Sequence, residues 1–136
     1  MKEESFGIIP LKQEAGEWQT FLVQLQAGHW TFPKGRKNHN EASLVAAARE
    51  LQEETNFTIV EFLSIRPYLE TYRFERNGEW VDKYAWYYPA TVKGDLHLQE
   101  AEIKDGRWLS LHAALELLTY LPTKNVAYQV IQDLNI

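Results

Sequence analysis

The spacing of apolar and polar residues along the chain predicts a fold that alternates between strands and helices. Short apolar or alternating runs predict β-strands at residues 6–11, 18–25, 59–65, 68–76, 80–92 and 107–109, with a brief extended piece at 30–32. Asn77-Gly78 predicts a tight turn between two long strands. The polar stretch 12–17 predicts a looser hairpin loop, and Pro10 is expected to break or edge the first strand.

Three further segments have the period of an amphipathic helix. They cover residues from 41 or 42 to 54, from 110 to 118, and from 123 to 134. Asn40, Ser110 and Thr123 are the predicted N-caps, because their side chains can accept a hydrogen bond from the first turn. The order β, β, α, several β, α, α predicts an α/β protein with a mixed sheet between helices.

The first of these helices has an unusual concentration of acid. Glu50, Glu53 and Glu54 lie three and four residues apart, so they point into one arc about 100° wide. The residues in and beside this arc are small: Ser43, Ala46 and Ala47. The residues predicted to pack inward lie on the other side of the helix: Leu44, Val45, Ala48 and Leu51. The pattern leaves room for a ligand beside the carboxylates.

Two interpretations of the acidic arc are open from the residues alone. It is a solvated face with Arg49 as a partial counter-ion, or it is a site for a hard divalent cation. Like charges at these spacings weaken a helix, and a bound cation reverses that effect because Mg²⁺ prefers oxygen ligands.

A longer pattern around the arc decides between them. The stretch GRKNHNEASLVAAARELQEETNF resembles the Nudix box, G-x5-E-x7-R-E-U-x-E-E-x-G-U, in which U is a bulky apolar residue. The matching positions are Gly35, Glu41, Arg49, Glu50, Leu51, Glu53, Glu54 and Phe57. Asn56 stands where the pattern has its second glycine; asparagine is the residue that best replaces glycine in the left-handed conformation that ends a helix.

The resemblance implies a Nudix-type α/β/α sandwich and metal-dependent hydrolysis of a nucleoside diphosphate linked to another group. Mg²⁺ is the implied cofactor, with Mn²⁺ possible. Glu50, Glu53 and Glu54 would be catalytic carboxylates that hold the metal, together with the carbonyl of Gly35. A further catalytic and metal-binding acid is expected from the loop before Trp108, where Glu102 is preferred to Glu100.

By the same resemblance, Glu41 and Arg49 would form a structural ion pair that supports these carboxylates. Which carboxylate takes the proton from the attacking water varies within the family and stays open.

Motifs outside the box narrow the resemblance further. HWTFPKG at residues 29–35, SFGIIPL near the start and RWLSL later resemble the asymmetric diadenosine tetraphosphate hydrolases, which give ATP and AMP. Lys34, Arg36 and Lys83 are the candidate phosphate-binding residues. Arg36 stands where those relatives often have histidine. Tyr87, or another aromatic residue of the same strand, is the candidate that stacks on a base.

Composition excludes several other classes of function. The 136 residues, 45% of them hydrophobic, predict one domain over residues 1–136. A net charge of −5 argues against a stable nucleic-acid partner, and the absence of cysteine excludes thiol chemistry. The N-terminus has no signal-peptide pattern and no segment predicts a membrane span, so a cytoplasmic protein is expected.

The expected partner is a small nucleotide substrate. An RNA 5′-end pyrophosphohydrolase and a non-catalytic nucleotide sensor are the alternative functions. The oligomeric state, the number of metal ions and the preferred substrate stay open.

Overall fold

The computed structural model describes residues 1–136, in eight β-strands and three α-helices. The strands are β1 Lys2–Glu14, β2 Glu17–Leu25, β3 Trp30–Thr31, β4 Lys34–Gly35, β5 Thr58–Phe62, β6 Tyr68–Arg76, β7 Glu79–Lys93 and β8 Ile103–Ser110. The helices are α1 Ser43–Thr55, α2 Leu111–Leu117 and α3 Leu121–Asp133. None of these helices is long and apolar enough to cross a membrane.

All eight strands belong to one mixed sheet, whose centre is the parallel pair β1 and β7. This pair runs in register from Lys2 opposite Asp82 to Leu11 opposite Thr91. Every other pairing is antiparallel: β2 and β4 pair with β1, β5 and β6 pair with β7, and β3 and β8 pair with β2. The short strand β4 therefore lies beside the middle of β1, where it carries Lys34 and Gly35.

Each face of the sheet has its own hydrophobic core, because successive residues of a strand point to opposite sides. Ile8 of β1 packs on one face with residues of α1, and Ile9 packs on the other face with residues of α2 and α3. One helix thus covers one face and two helices cover the other. The predicted α/β/α sandwich is confirmed.

Strand β1 passes through Pro10 without a break, so the expectation that this proline ends or edges the strand is wrong. The pairing of β1 with β4 ends at Gly7, and its pairing with β2 begins at Leu11. Pro10 falls in the gap between them, where no N–H is needed, and its carbonyl accepts a 2.7 Å hydrogen bond from Thr20 Oγ1. The loop predicted after this strand is instead a two-residue turn with positive φ at Ala15 and Gly16.

Helix α1 begins at Ser43, later than predicted, and Asn40 is not its N-cap. Ala42 occupies that position without a side-chain hydrogen bond, and Asn40 has a left-handed φ of 61° in the preceding loop. The other end agrees with the sequence: Asn56 is the left-handed C-cap, with φ 70°. The predicted orientation of α1 is wrong in part. Ala46 and Ala47, expected beside the acidic arc, are fully buried, and Val45, expected to pack inward, is exposed.

Helix α2 is capped by Ser110 as predicted, whose Oγ accepts from the N–H of Ala113. Helix α3 starts earlier than predicted, at Leu121, with Pro122 in its first turn. Thr123 is therefore inside the helix and does not cap it. Its hydroxyl instead donates to the buried carboxylate of Glu70 on β6.

Candidate active site

The C-terminal half of α1 meets β4 and the loop before β8 at a cavity of about 380 Å³. Lys34, Glu54 and Glu102 are the charged residues that line it, and we call it the carboxylate cavity. Glu102 is thus brought to the same cavity as an acid of α1, whereas Glu100 lies outside it. Lys34 is the only basic residue in the lining.

Gly35 lets helix α1 approach β4 closely. A Cβ on this residue would lie 2.0 Å from the carboxyl carbon of Glu50 and 2.2 and 2.4 Å from its two oxygens. Any side chain at position 35 would therefore displace the Glu50 carboxylate. Space, rather than backbone freedom, accounts for a glycine here.

Arg49 forms ion pairs with three carboxylates on the outer side of α1, those of Glu41, Glu50 and Glu53. Its Nε and Nη2 bond both oxygens of Glu41 at 2.8 and 2.9 Å, which forms a two-pronged ion pair. Its Nη1 donates to Glu50 at 3.0 Å and to Glu53 at 3.1 Å, and Nη2 also reaches the carbonyl of Arg36. Hydrogen bonds from Arg49 and from the N–H of Asn38 hold the pKa of Glu41 down, at about 2.

Glu54 has the opposite environment. Only 4% of the residue is exposed, and its Oε1 has no hydrogen-bond partner. Burial is the main cause that raises the pKa of Glu54, to about 9, and the negative charges of Glu50 and Glu102 add to it. Burial likewise raises the pKa of Glu50.

The donor set of this cavity fits a divalent cation. Glu54 Oε1 and Thr31 Oγ1 are the two buried side-chain oxygens that lack a hydrogen-bond partner, and both residues line the carboxylate cavity. A cation beside Glu54 would supply its missing partner and offset the repulsion from Glu50 and Glu102. In the structure no three acidic or histidine side chains converge on one point. The carboxylates of Glu50 and Glu53 are instead paired with Arg49.

Lys34 is held by a second buried acid. Its Nζ lies 3.3 Å from Oε1 of Glu70, a residue of β6 that is only 2% exposed. Burial lowers the pKa of Lys34, but Tyr87 and Glu70 together raise it by more, so the pKa of Lys34 lies above its ordinary value.

A second cavity has a volume of about 500 Å³. We call it the aromatic cavity; its lining residues are His29, Tyr72, Phe74, Tyr120 and Pro122. The charges of Lys34 and Glu70 act on both His29 and Tyr72. Burial, with the charge of Lys34, lowers the pKa of His29. Lys34 lines the carboxylate cavity, and its partner Glu70 lies two residues before Tyr72 on the same face of β6, so the Lys34–Glu70 pair connects the linings of the two cavities.

Two of the candidate phosphate-binding residues lie near the N-terminal end of β1 and away from the carboxylate cavity. Lys83 donates to Ser5 Oγ at 2.7 Å and is half-buried, and Arg36 pairs with Glu3 at 3.2 Å on the surface. Tyr87 requires a correction. Its ring is fully buried against Phe32, so no face is open for a base to stack on it.

A family model described as the NUDIX domain matches residues 1–134 of the chain. This covers nearly the whole sequence, including the acids of α1, Gly35 and Arg49. The chain belongs to the Nudix family.

Two relatives of this chain are named for different substrates. An 8-oxo-(d)GTP phosphatase of Mycolicibacterium smegmatis is 34% identical over 97 residues, which is 71% of this chain and 28% of that protein. The asymmetrical bis(5′-nucleosyl)-tetraphosphatase of Caenorhabditis elegans is 27% identical over 122 residues, 88% of each chain. The chain thus spans little more than a quarter of the first relative and most of the second.

Solved structures share the fold. A binary complex of the C. elegans Ap4A hydrolase superposes with a TM-score of 0.73 at 24% identity, over 97% of each chain. A MutT protein from Methanosarcina mazei gives 0.70 at 24% identity, over 99% of this chain and 96% of the other. Both structures support the Nudix fold of this chain.

Two features of this Nudix site were missed in the sequence. Glu70, Tyr72 and Phe74 alternate along β6, and this period of two places them on one face of the strand. This alternation is the signal in the sequence that indicates a shared face for the three side chains. His29, the first residue of HWTFPKG, lines the aromatic cavity with Tyr120, 5.3 Å between ring centres.

Proposed function

We propose that this Nudix hydrolase cleaves the phosphate chain of a nucleoside polyphosphate, and that diadenosine tetraphosphate is its preferred substrate, giving ATP and AMP. The observation that carries the proposal is the position of Lys34. It lines the carboxylate cavity, and its partner Glu70 lies two residues before Tyr72 of the aromatic cavity on β6. A base and a phosphate chain fit these two neighbouring environments.

The aromatic cavity is the proposed base site. Tyr72 and Tyr120 are 38% and 54% exposed, so both rings are accessible to a ligand. Stacking on an aromatic side chain is worth about 1–3 kcal/mol per base and tolerates any base. Tyr72 therefore replaces Tyr87 as the residue proposed to stack on adenine.

The phosphates would extend from that site past Lys34 towards Glu54 and Glu102. Lys34 offers a compact positive charge to the phosphate oxygens. Lys83 and Arg36 are proposed to contact phosphates that lie farther along a long chain. A substrate with four phosphates can reach more of these cations than one with two, because its chain is longer.

The carboxylates of Glu50, Glu53, Glu54 and Glu102, with the carbonyl of Gly35, are proposed to hold Mg²⁺ or Mn²⁺. Such a cation neutralises phosphate charge and lowers the pKa of a bound water. In the net reaction the water oxygen bonds to one phosphorus, the bridging oxygen leaves with the other, and one water proton is released. A carboxylate of the same group is the proposed acceptor of that proton.

The test is product identification. Purified protein is incubated with diadenosine tetraphosphate and Mg²⁺, and nucleotides are separated by anion-exchange chromatography. ATP and AMP in equal amounts are expected, with no turnover in Glu54→Gln. Two molecules of ADP would contradict asymmetric cleavage, and no turnover at micromolar enzyme would refute the proposal.

A second substrate is favoured by the 34% identity with the mycobacterial 8-oxo-(d)GTP phosphatase. Its base would occupy the same aromatic cavity with a shorter phosphate chain. Comparing kcat/KM for 8-oxo-dGTP, dGTP and diadenosine tetraphosphate decides between the two. A higher kcat/KM for 8-oxo-dGTP than for both others would make this the function.

The remaining alternatives have their own outcomes in the same panel. Release of pyrophosphate from 5′-triphosphorylated RNA would indicate an RNA 5′-end hydrolase. Tight nucleotide binding without hydrolysis would indicate a sensor, although Glu50, Glu53 and Glu54 are all present here. The cytoplasmic location, the single domain and the lack of a stable nucleic-acid partner stay predictions.

A further inference from the structure

Glu70 is a buried charged residue for which the proposed hydrolysis has no direct use. Its side chain is 1% exposed. Its carboxylate receives hydrogen bonds from Lys34 Nζ at 3.3 Å, from the hydroxyl of Tyr87 at 3.4 Å, and from Thr123 Oγ1. Burying a carboxylate costs several kcal/mol unless such partners surround it, so a structural role alone could be filled by an apolar residue at less cost.

We infer that Glu70 is a positioning residue, which fixes the ammonium of Lys34 at the boundary of the two cavities before substrate arrives. The inference rests on the proposed function, in which Lys34 contacts the phosphate chain. Glu70 itself would touch neither the substrate nor the metal.

The lysine side chain needs a partner to be fixed in place. It is a flexible four-carbon stem that ends in three rotatable donors. Glu70 is the only carboxylate paired with Lys34, and the ring of Tyr87 lies 5.9 Å from the Nζ atom. These two groups hold the ammonium, and the side chain of Lys34 is 18% exposed.

Thr123 fixes Glu70 in turn. Its hydroxyl comes from the first half of α3, so the carboxylate is held from β6 and from the helix that covers this face. Lys34 is then anchored to two elements distant in sequence, 36 residues away at Glu70 and a further 53 at Thr123. The Glu70 carboxylate thus links β4, β6 and α3 through hydrogen bonds.

Loss of the Glu70 charge and loss of a fixed position for Lys34 should change different kinetic constants, which makes the inference testable. Removing the negative charge of Glu70 favours the binding of an anionic substrate, so charge alone predicts a lower KM. Loss of position predicts a lower kcat, because a fixed charge contributes most where charge develops in the transition state. A fall in kcat without a rise in KM therefore distinguishes positioning from general damage.

The experiment is a double-mutant cycle with Glu70→Gln and Lys34→Met, using diadenosine tetraphosphate and Mg²⁺ well below the unfolding temperature. In Glu70→Gln we expect kcat to fall roughly tenfold or more, with KM lower or unchanged. In the Lys34→Met background, Glu70→Gln should have no further effect. A kcat within about threefold of wild type, or two effects that multiply independently, would overturn the inference.

Thr20→Val is the matched control. Thr20 is fully buried and lines neither cavity, and its Oγ1 donates to the carbonyl of Pro10. The variant removes one buried hydrogen bond and keeps the shape of the side chain, so it should lower the unfolding temperature and leave kcat unchanged. If Thr20→Val reproduces the kcat of Glu70→Gln, then loss of stability explains both variants and the positioning role is wrong.

A spectroscopic readout separates this inference from the proposed function. In protein with ¹³C-labelled lysine, the ε-methylene of a fixed side chain gives two distinct proton shifts, and that of a mobile one gives a single averaged shift. The Lys34 signal, identified by its absence in Lys34→Met, should be split in wild type and merged in Glu70→Gln. A signal that stays split would overturn the inference. If wild type hydrolyses no nucleotide tested, the proposed function fails, and this signal still decides whether Glu70 fixes Lys34.

Discussion

In protein freed of metal, Glu54→Gln should remove a loss of stability that the wild type shows as pH rises. Glu54 is 4% exposed and its Oε1 lacks a partner, and the pKa of its carboxyl is raised from 4.5 to about 9. Between these two values the folded protein holds a proton that the unfolded chain has lost. Stability therefore falls as pH rises through this window, because the folded state binds more protons than the unfolded state.

The size of the effect follows from the width of the window. Each pKa unit corresponds to about 1.4 kcal/mol. Between the unfolded pKa of 4.5 and neutral pH, the penalty on the wild-type fold grows to about 3 kcal/mol. Glutamine cannot ionise, so it removes this pH-dependent penalty. It leaves a buried amide in its place, which costs about 1–3 kcal/mol at every pH.

The assay is urea unfolding in EDTA from pH 5 to pH 8. The wild-type free energy of unfolding should fall by about 1 kcal/mol or more for each pH unit relative to that of Glu54→Gln. Glu53→Gln is the control, because the side chain of Glu53 is 48% exposed. In this variant the free energy of unfolding should depend on pH as it does in wild type. Parallel curves for Glu54→Gln and wild type would refute the buried, perturbed carboxyl.

Added Mg²⁺ provides the second half of the same test. A cation that binds only the folded state stabilises it by about 2.7 kcal/mol at a hundred times its dissociation constant. Wild type should gain that stability and Glu54→Gln should gain much less. Equal gains in both proteins would show that Glu54 is not a ligand.

Three further changes have expected outcomes of their own. Gly35→Ala would place a Cβ 2.0 Å from the Glu50 carboxyl carbon, so activity should fall at least tenfold at saturating Mg²⁺; wild-type kinetics would contradict the close packing. Tyr72→Ala should raise KM roughly tenfold with little change in kcat, whereas Tyr128→Ala, an exposed tyrosine outside both cavities, should change neither. Asn56→Ala should lower stability by about 1 kcal/mol, since alanine tolerates φ 70° poorly, and calorimetry that finds no change would contradict the left-handed cap.

The sequence predicted the features that depend on residues close together along the chain. Helical spacing was enough to place Arg49 within reach of Glu53, four residues later, as a counter-ion of the acidic face. The left-handed cap at Asn56 followed from the preference of asparagine for positive φ. Both depend on the backbone within a few residues, so no knowledge of tertiary structure was needed.

The sequence could not predict features that depend on which faces of strands are covered. The period of two correctly separates Tyr87 from its neighbours on β7, but it does not reveal that the Tyr87 side is covered by α2 and α3. Glu70 was missed for the same reason. Its partners are 17, 36 and 53 residues away, and only the completed sheet brings them together. The start of α1 was misplaced because a left-handed loop residue and an N-cap look alike in sequence.

The charges of the site divide into compensated and uncompensated groups, and this division links stability to function. Arg49 neutralises acids on the outer side of α1, and Lys34 and Glu70 neutralise each other on the inner side. Glu54 has neither kind of partner and faces Glu102 across the same cavity. The acid that pairs with no cationic side chain therefore lies where a metal cation would bind. Burial of the Glu54 carboxyl, with the charges of Glu50 and Glu102 added to it, weakens the metal-free fold as pH rises, and a bound cation would offset the same cost. Substituting the acid for stability should for that reason always reduce the affinity for metal.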